Sequence, residues 1–567
     1  MKIKGIGASK GVAISKVFKI EELPVEITQK TNDIQKELQL YQAARDKVVT
    51  KINITKELAK DPEHAAIFEA HIGFVLDPFA IETIENNIKN NSETAEYAVK
   101  EFYTGFATTF EMLDDEYMKE RAADVKDVLK KLLYVLNGLE EPDLANISEE
   151  VVIVAEDLSP SQTVQLNKQF VKGFITNIGG PTSHTAIMAR SLGIPSVVGA
   201  TSVMEHAKNG DLIALDGSTG EVVINPDKEQ TDKFTKAQEV YLNYLAMLSE
   251  LKGQESKTLD GKHVELAANI GTPKDLASVL DNDAEGIGLF RSEFLYMDNA
   301  NWPTEEEQFN AYKAVVEGMK GKRVVIRTLD IGGDKTLKYF KFPEEMNPFL
   351  GYRAIRFCLQ NHDIFKTQLR ALIRASEFGK VAIMFPMITN VQEFLDAKAI
   401  FVKCYNELKN EYPNIKPMYD IEVGLMMETP AAAILSDKFA EHADFVSIGT
   451  NDLIQYSMAA DRMNENISYL YQPLNPSVLR LIRHVIQGAH KNGKWAGMCG
   501  EMAGDKRAIP ILLGLGLDEF SMSASSILGA RELINNLNFE QMKDLANKAL
   551  ELSTEEQVIE LLNQELV

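Results

Sequence analysis

A single histidine stands at the start of a run of small and apolar residues. His184 follows Gly179 and Gly180 in the stretch GGPTSHTAIMAR, where residues 181–183 mark the beginning of a predicted helix. The first turn of a helix has free N–H groups and the positive end of the dipole, which favour an anion. A neutral imidazole is also a nucleophile toward a phosphoryl group. This stretch alone leaves two interpretations open: a phosphohistidine, or a histidine that hydrogen-bonds near a helix cap.

Polar side chains also follow most of the strand-like segments in the second half of the chain. Eight such segments alternate with helical ones over about 300 residues, which predicts a closed (β/α)8 barrel. The polar strand ends are Asn269, Arg291, Glu293, Arg327, Asp330, Glu428, Asn451, Asp452, Cys499 and Glu501. One charged residue at a strand end is usually part of a structural ion pair. These ten residues follow six different strand-like segments, and six polar strand ends on one rim predict a site instead.

The residue types on this rim suit a small phosphorylated anion. Glu428 and Asp452 are two carboxylates from successive strands, the arrangement that Mg²⁺ prefers when substrate phosphate completes its shell. Guanidinium groups suited to phosphate and carboxylate oxygens come from Arg291, Arg327, Arg353 and Arg462. Calcium or zinc is less well supported, because neither a dense oxygen cage nor a His/Cys set is visible.

Cys499, in GMCGEM, is the cysteine of this rim. Its position alone fits either a small buried hydrophobe or a thiol that exchanges a proton. The sequence shows no Walker A motif, no dinucleotide fingerprint and no Ser/His/Asp order that fits the barrel.

The composition narrows the function classes further. The 567 residues have a formal net charge of -23, which argues against a nucleic-acid binder. The N-terminal residues have no apolar signal region, and no stretch reaches the length that a membrane span requires, so we expect no membrane insertion. Three widely spaced cysteines (Cys358, Cys404 and Cys499) favour the reducing cytoplasm over a disulfide framework.

Changes in the residue pattern along the chain predict a multidomain α/β protein. Residues 1–20 and 146–226 are predicted to form an α/β domain, and residues 21–145 an inserted helical bundle. A linker helix is expected at 227–255 and the barrel at 256–567. The helical spacing in the insertion is carried by Ile34, Leu38, Tyr41, Val48 and Ile52, followed by Phe68, His71, Ile72 and Val75.

The motifs resemble, over essentially the whole chain, the family of phosphoenolpyruvate–protein phosphotransferases, the Enzyme I proteins of the bacterial sugar phosphotransferase system. GGPTSHTAIMAR is similar to the family's phosphohistidine signature, and DLSPSQT to its companion stretch. The motifs similar to its phosphoenolpyruvate-binding domain are GIGLFRSEFLYM, RTLDIGGDK, NPFLGYRAIR, MMETPAA, SIGTNDLIQYSMAADRMN and GMCGEMAGD. Ser292 replaces a more usual threonine, and Pro181 precedes Thr182 where other residues are common.

This resemblance implies a role for each matching residue. His184 would be the phosphorylated nucleophile, with Thr163 beside its ring, and Cys499 would protonate the enolate carbon to give pyruvate. Glu428 and Asp452 would hold Mg²⁺. The residues implied to bind phosphoenolpyruvate are Arg291, Arg327, Asn451, Asp452 and Arg462.

The resemblance also implies partners. The helical insertion would dock the small phosphocarrier protein HPr, with His71 and Arg121 in matching places. The family further implies a homodimer through the C-terminal barrel.

Three alternatives remain at this point. A dikinase or synthase acting on pyruvate or phosphoenolpyruvate shares the histidine and barrel motifs, but needs a nucleotide-binding domain where this chain has about 145 helical residues. A nitrogen-regulatory paralogue would share the chemistry and usually has an extra N-terminal sensory domain. A scaffold protein that lost the chemistry would lack at least one of the site residues.

Overall fold

Two units divide the chain, Met1–Leu245 and Ala246–Val567. The computed structural model describes residues 1–21, 23–58, 62–112, 116–141, 144, 147–167, 169–180, 183–297, 299–333, 335, 337, 339–412, 415–416 and 418–566. Each unit has its own sheet and its own apolar cores. No helix in these described ranges is long and apolar enough to cross a membrane.

Short β-rich runs from both ends of the first unit form one mixed sheet. Its strands are β1 Lys2–Lys4, β2 Ile6–Ser9, β3 Val12–Ile20, β4 Val151–Ala155, β5 Val171–Thr176, β6 Ser196–Val198, β7 Leu212–Asp216 and β8 Glu221–Ile224. Their order is β1-β8-β7-β3-β4-β5-β6-β2. β3 pairs in parallel with β4 and antiparallel to β7, so the first twenty residues complete the sheet that follows the helical segment.

The segment between β3 and β4 is helical. Its helices are α1 Ile34–Leu58, α2 Pro62–Val75, α3 Pro78–Asn91, α4 Ala95–Glu111 and α5 Glu116–Leu136. Tyr41, Val48 and Ile52 on α1 are buried with Phe68 and Val75 on α2, as their helical spacing predicts. This apolar cluster is separate from the two clusters that flank the sheet.

Four further helices follow β4 in the first half of the chain. They are α6 Pro160–Val164, α7 His184–Leu192, α8 Val203–His206 and α9 Lys228–Glu250. Ser159 caps α6 in a capping box with Gln162. Ser183 caps α7, and Gly193 ends that helix with a φ of 64°.

The second unit contains the predicted closed barrel. Its strands are β9 Glu265–Ile270, β10 Gly286–Arg291, β11 Arg323–Arg327, β12 Lys380–Phe385, β13 Glu422–Met427, β14 Phe445–Ile448, β15 Trp495–Met498 and β16 Glu519–Met522. Each strand pairs in parallel with the next, and β16 closes the ring on β9. The multidomain α/β fold with a (β/α)8 barrel is therefore confirmed.

Helices surround this ring. They are α10 Leu276–Asp281, α11 Glu293–Met297, α12 Glu305–Gly318, α13 Ile355–Cys358, α14 His362–Ala375, α15 Val391–Glu411, α16 Pro430–Ile434, α17 Ser436–Ala440, α18 Thr450–Met458, α19 Pro476–Lys491, α20 Ile509–Gly514, α21 Ile527–Asn535, α22 Phe539–Glu551 and α23 Glu555–Glu565. Their apolar faces and the outer faces of the strands share one large core.

The inside of the barrel is filled by a second, smaller apolar cluster. It contains Leu289, Met426, Phe445 and Cys499, with Trp495 packed against it. The Trp495 ring stacks on Phe445 with 4.5 Å between ring centroids. Inward-pointing side chains therefore make the barrel a packed core and not a channel.

A charged layer lies below this cluster, at the N-terminal ends of the strands. The Arg323 guanidinium lies 3.9 Å from the Trp495 ring centroid and pairs with Glu265. Glu519 is 1% exposed, and neither of its carboxylate oxygens has a hydrogen-bond partner among the described residues. Burial, and then the neighbouring Glu265, raise the pKa of Glu519 to about 8.

We expect Glu519 to make barrel stability fall with rising pH. A carboxyl whose pKa is about 8 in the folded chain, against 4.5 for a free side chain, holds its proton more tightly when folded. Its contribution is present at low pH and is lost as the pH rises from about 5 to about 8, by at most about 1.4 kcal/mol per pH unit for one proton. Glu519→Gln should remove this loss, so the stability of the variant relative to the parent should increase with pH.

The two tryptophans of the chain, Trp302 and Trp495, both lie in the second unit, so their fluorescence during urea unfolding reports on the barrel. Glu551→Gln, at an exposed position of the same unit, is the matched control. Parallel pH profiles for Glu519→Gln and the unaltered protein would contradict the prediction.

Candidate active site

The C-terminal ends of the barrel strands surround a cavity of about 620 Å³. The lining residues predicted from the sequence are Asn269, Arg291, Arg327, Asp330, Arg353, Glu428, Asn451, Asp452, Arg462, Cys499 and Glu501. Glu293 does not line the cavity and lies behind Arg327. Residues that are 230 positions apart in sequence are in contact here, since Asn269 Nδ2 donates to the Cys499 carbonyl oxygen at 3.1 Å.

Two buried carboxylates, Glu293 and Asp330, bind three of the cationic side chains that line this cavity. Arg327 Nη2 lies 2.6 Å from Glu293 Oε1, and Arg327 Nη1 lies 3.0 Å from Asp330 Oδ2. Lys335 Nζ bridges the same pair, at 3.0 Å from Glu293 and 2.9 Å from Asp330. Arg353 Nη2 lies 2.9 Å from Asp330 Oδ1. Each carboxylate thus binds at least two cations.

Burial and pairing act in opposite directions on these groups. Burial alone raises the pKa of Asp330, but Lys335, Arg353 and Arg327 hold it well below its usual range. Burial alone lowers the pKa of Arg327, and the carboxylates of Glu293 and Asp330 raise it above its ordinary value. The ion network therefore stays charged although it is removed from water.

Arg291 and Arg462 differ from these paired cations. Neither has a carboxylate within ion-pair distance in the described part of the chain. The Arg291 guanidinium lies 4.7 Å from the Phe294 ring centroid. Burial lowers the pKa of Arg291 despite Glu293, and the charges of Arg327 and Arg462 lower it further. Three mutually repelling guanidinium groups with two of them unpaired form a place for an anion.

Glu428 and Asp452 form a site that attracts a cation and not an anion. Glu428 is 1% exposed, and burial followed by the charge of Asp452 raises its pKa to about 8. Asp452 Oδ1 is buried and has no hydrogen-bond partner among the described residues. Arg353 Nη2 lies 3.7 Å from the other Asp452 oxygen. This pair has more negative charge than its neighbours compensate, so it fits a cation.

The backbone around these carboxylates is unusual in ways that serve their placement. Glu428 accepts a hydrogen bond from the backbone N–H of Met387, which has a φ of 55° although it is not a glycine. A Cβ on Gly500 would lie 1.8 Å from Thr450 Oγ1. Glycine at this position therefore lets the segment after β15 approach the first turn of α18, where Asn451 and Asp452 lie.

The described residues contain no group of three or more His, Cys, Asp or Glu side chains that could hold a metal ion. Two carboxylates alone match Mg²⁺, which keeps several water molecules and takes ligands from a bound phosphate. Calcium and structural zinc need more protein ligands than Glu428 and Asp452 supply.

Cys499 lies at the floor of the same cavity and is 5% exposed. Burial raises the pKa of its thiol to about 12, so the sulfur keeps its proton at neutral pH. Such a thiol is a poor nucleophile and a suitable proton donor.

One cation of this site was not singled out from the sequence. Lys335 was visible only as part of the motif RTLDIGGDK, and it is a lining cation that bridges Glu293 and Asp330. Ser292, where threonine is more usual, donates to the Arg327 carbonyl oxygen at 2.6 Å. The hydroxyl group that this position needs is therefore retained.

In the first unit, α7 begins at His184, just after the start predicted at 181–183, and His184 lies in its first turn as expected. Ser183 Oγ accepts from the Ala186 N–H at 3.3 Å. The His184 side chain, Pro181 and Thr182 lie outside the described residues. Thr163 is fully buried in α6.

His71 is fully buried, so it presents no surface to a partner. Its Nε2 atom lies 3.1 Å from Asp124 Oδ1, and Arg121 Nη1 lies 3.0 Å from the other Asp124 oxygen. Of the two residues expected at a docking surface, Arg121 is partly exposed. His71 is buried and contacts the other oxygen of the Asp124 carboxylate that Arg121 binds.

Comparison with known proteins gives three family matches. Residues 246–539 match the family described as PEP-utilising enzyme, PEP-binding domain. Residues 4–121 match the N-terminal domain of PEP-utilising enzymes, and residues 147–220 match their mobile domain.

Full-length relatives are also similar. A phosphoenolpyruvate-protein phosphotransferase from Staphylococcus aureus is 55% identical over 566 residues, which cover 99% of each chain. One from Listeria monocytogenes is 54% identical and also covers 99% of each chain. A solved structure described as an NMR solution structure of Enzyme I is 41% identical, covers 42% of this chain and 99% of its own, and has a TM-score of 0.40.

We expect the two arginines Arg327 and Arg462 to differ in their importance for stability. Arg327→Met leaves Glu293 and Asp330 buried with one cation fewer, which should lower the free energy of barrel unfolding by about 3–5 kcal/mol. Arg462→Met removes a cation without a carboxylate partner and should change it by less than about 0.5 kcal/mol. Urea unfolding followed by tryptophan fluorescence measures both. Equal stability of the two variants would refute the assigned network.

Proposed function

The chain belongs to the phosphoenolpyruvate–protein phosphotransferase family, and we propose that it transfers the phosphoryl group of phosphoenolpyruvate to His184 and then to the phosphocarrier protein HPr. Pyruvate is released, and the reaction is the first step of the sugar phosphotransferase system. One observation carries the proposal: a single cavity combines unpaired arginines with carboxylates that lack compensating charge. A small, doubly anionic substrate that also binds a divalent cation matches both halves.

The proposed binding residues for phosphoenolpyruvate are Arg291, Arg327, Arg462 and Asn451. Arg291 and Arg462 bind the anion directly, since no protein carboxylate competes for them. Arg327 reaches the same cavity from its ion network and is oriented before substrate arrives. Asp452 belongs to the same site because, with Glu428, it would hold the Mg²⁺ that neutralises charge on the phosphoryl group.

Glu428 and Asp452 are the proposed ligands of Mg²⁺. When bound, Mg²⁺ neutralises charge on the phosphoryl oxygens during transfer. The raised pKa of Glu428 and the unpartnered Oδ1 of Asp452 support a cation at this position. The chain itself would supply two carboxyl groups as ligands, and binding of the cation would favour the deprotonated form of Glu428.

Cys499 is the proposed proton donor. As the P–O bond to the enol oxygen breaks and a P–N bond to His184 forms, the enolate of pyruvate is left in the cavity. The Cys499 thiol gives its proton to the methylene carbon, which yields pyruvate, and water returns a proton to the sulfur. The protonated state of this thiol at neutral pH supports the role.

We assign the domains as follows. Residues 1–20 and 146–226 form the phosphohistidine domain, 21–145 the HPr-binding insertion, 227–255 the linker helix, and 256–567 the substrate-binding and dimerisation barrel. A homodimer through the barrel is proposed from the family. A cytoplasmic location is supported by Cys358, Cys404 and Cys499, all of which are free thiols.

We expect the transferred phosphate on His184. Incubation with ³²P-labelled phosphoenolpyruvate should give a label that is lost in acid and kept in alkali, because a P–N bond and not a phosphoester holds it. Peptide mapping should place it on the segment that contains His184. His184→Ala should abolish the label, whereas Ser183→Ala, which removes the adjacent cap, should retain it. A label on another residue would exclude the proposed nucleophile.

We expect Asp452 to matter for only one half-reaction. Asp452→Asn keeps the shape but removes a charge from the cation site, so phosphorylation by phosphoenolpyruvate should slow at least about 100-fold. Phosphorylation of His184 by phospho-HPr should be unchanged, since it does not use the barrel cavity. Rapid-quench assays measure both rates, and the exposed Asp461→Asn is the matched control. Equal loss in both half-reactions would contradict the assignment.

A further inference from the structure

The helical insertion and the sheet of the first unit are joined by polar contacts. Their apolar clusters are separate. Where α5 meets α6, the contact consists of Asp127 and Lys131 on α5 and Ser161 on α6, which we call the polar seam. Asp127 and Ser161 are buried, and the Lys131 side chain is 14% exposed.

Every member of the polar seam contacts the other two. Ser161 Oγ donates to Asp127 Oδ2 at 2.5 Å. Lys131 Nζ donates to Asp127 Oδ1 at 2.9 Å and to Ser161 Oγ at 3.0 Å. Glu141 Oε2 lies 3.5 Å from Lys131 Nζ, and His71 Nδ1 lies 3.7 Å from Asp127 Oδ2.

Charge pairing outweighs burial within the seam. Burial alone raises the pKa of Asp127, but Lys131 and His71 lower it below its usual value. Burial alone lowers the pKa of Lys131, but Asp127 and Glu141 raise it. The seam is therefore a charged contact at neutral pH, in which the Ser161 hydroxyl accepts from Lys131 and donates to Asp127.

A second set of hydrogen bonds connects α6 with the start of α7. The segment that leads into α6 contains Asp157, whose Oδ1 accepts from Thr185 Oγ1 at 2.8 Å. The Leu158 carbonyl oxygen accepts from the same hydroxyl at 3.2 Å. Thr185 is the residue after His184, so α5, α6 and the first turn of α7 form one hydrogen-bonded series.

Stability alone does not account for a buried charge pair at this junction. A lysine–aspartate pair removed from water contributes little more than well-packed apolar residues of the same volume. Directed hydrogen bonds restrict the relative orientation of two packed surfaces much more than apolar contacts do. The seam therefore determines how the insertion lies against α6.

We propose that Asp127, Lys131 and Ser161 are positioning residues that align the HPr-binding insertion with His184. The inference rests on the proposed function, in which a protein acceptor docks on the insertion. Phosphoryl transfer breaks the P–N bond at His184 as a bond to the acceptor forms. A misalignment of about 1 Å is enough to slow such a transfer about 100-fold.

The test separates alignment from both docking and folding. Two variants of the full chain are compared: Ser161→Ala, and the double variant Asp127→Asn with Lys131→Met, which removes both charges and leaves neither buried alone. Single-turnover phosphorylation by labelled phosphoenolpyruvate is measured first. Transfer of that label to HPr is then measured over a range of HPr concentrations.

Both variants should accept phosphate from phosphoenolpyruvate within about 2-fold of the normal rate. Their maximal rate of transfer to HPr should fall at least about 10-fold, with the half-saturating HPr concentration within about 2-fold. Lys89→Met, which removes an exposed pair with Glu85 at 2.8 Å on the same insertion, should change neither rate.

The other outcomes would overturn the proposal. Equal slowing of both half-reactions makes the seam a general support of the first unit. A higher half-saturating concentration with a normal maximal rate makes it part of the docking surface. A normal rate of phosphoryl transfer to HPr in both variants would show that the seam has no role in alignment. If the double variant does not fold, Ser161→Ala alone decides. Absence of label on His184 in the unaltered chain would instead refute the proposed function, and this inference with it.

Discussion

The candidate site depends on the pairing of Glu293 and Asp330 with Arg327, Lys335 and Arg353. Three cations at such short distances repel one another. Without the two carboxylates, their side chains would turn outward to water or the folded barrel would be less stable. The carboxylates hold them at 2.6 to 3.0 Å and leave other atoms of the guanidinium groups facing the cavity. Oriented positive charge is therefore in place before any anion binds.

The barrel makes this pairing possible. Glu293 comes from the segment after β10, while Arg327 and Asp330 come from β11 and the segment after it. These segments emerge side by side because β10 and β11 are neighbours in the ring. A parallel ring brings successive strand ends to one rim, so partners that are far apart in sequence meet without a long loop. A third carboxylate, that of Glu428, accepts from the backbone N–H of Met387, a residue with a positive φ.

Much of this architecture follows from sequence pattern. Eight strand-like segments alternating with helices predict the barrel, and the polar residues at their ends predict which side chains line its cavity. The glycine and serine before His184 predict where α7 begins. These features depend on local order along the chain, which periodicity and capping chemistry reveal.

Other features depend on contacts that no local pattern encodes. Lys335 follows a glycine-rich turn and has no strand-end signature, yet it bridges two buried carboxylates. His71 has the spacing of a helix face, which does not distinguish a buried side chain from an exposed one. Asp127 and Lys131 resemble an ordinary ion pair one helical turn apart, and only Ser161 from another segment shows that they form a junction.

The filled barrel has a consequence for the order of events. Trp495, Phe445 and the cluster around them occupy the interior, and Arg323 with its glutamates closes the lower end. In the proposed reaction, phosphoenolpyruvate and pyruvate therefore enter and leave through the same opening, at the C-terminal ends of the strands. Pyruvate must leave the cavity before the next phosphoenolpyruvate can enter it.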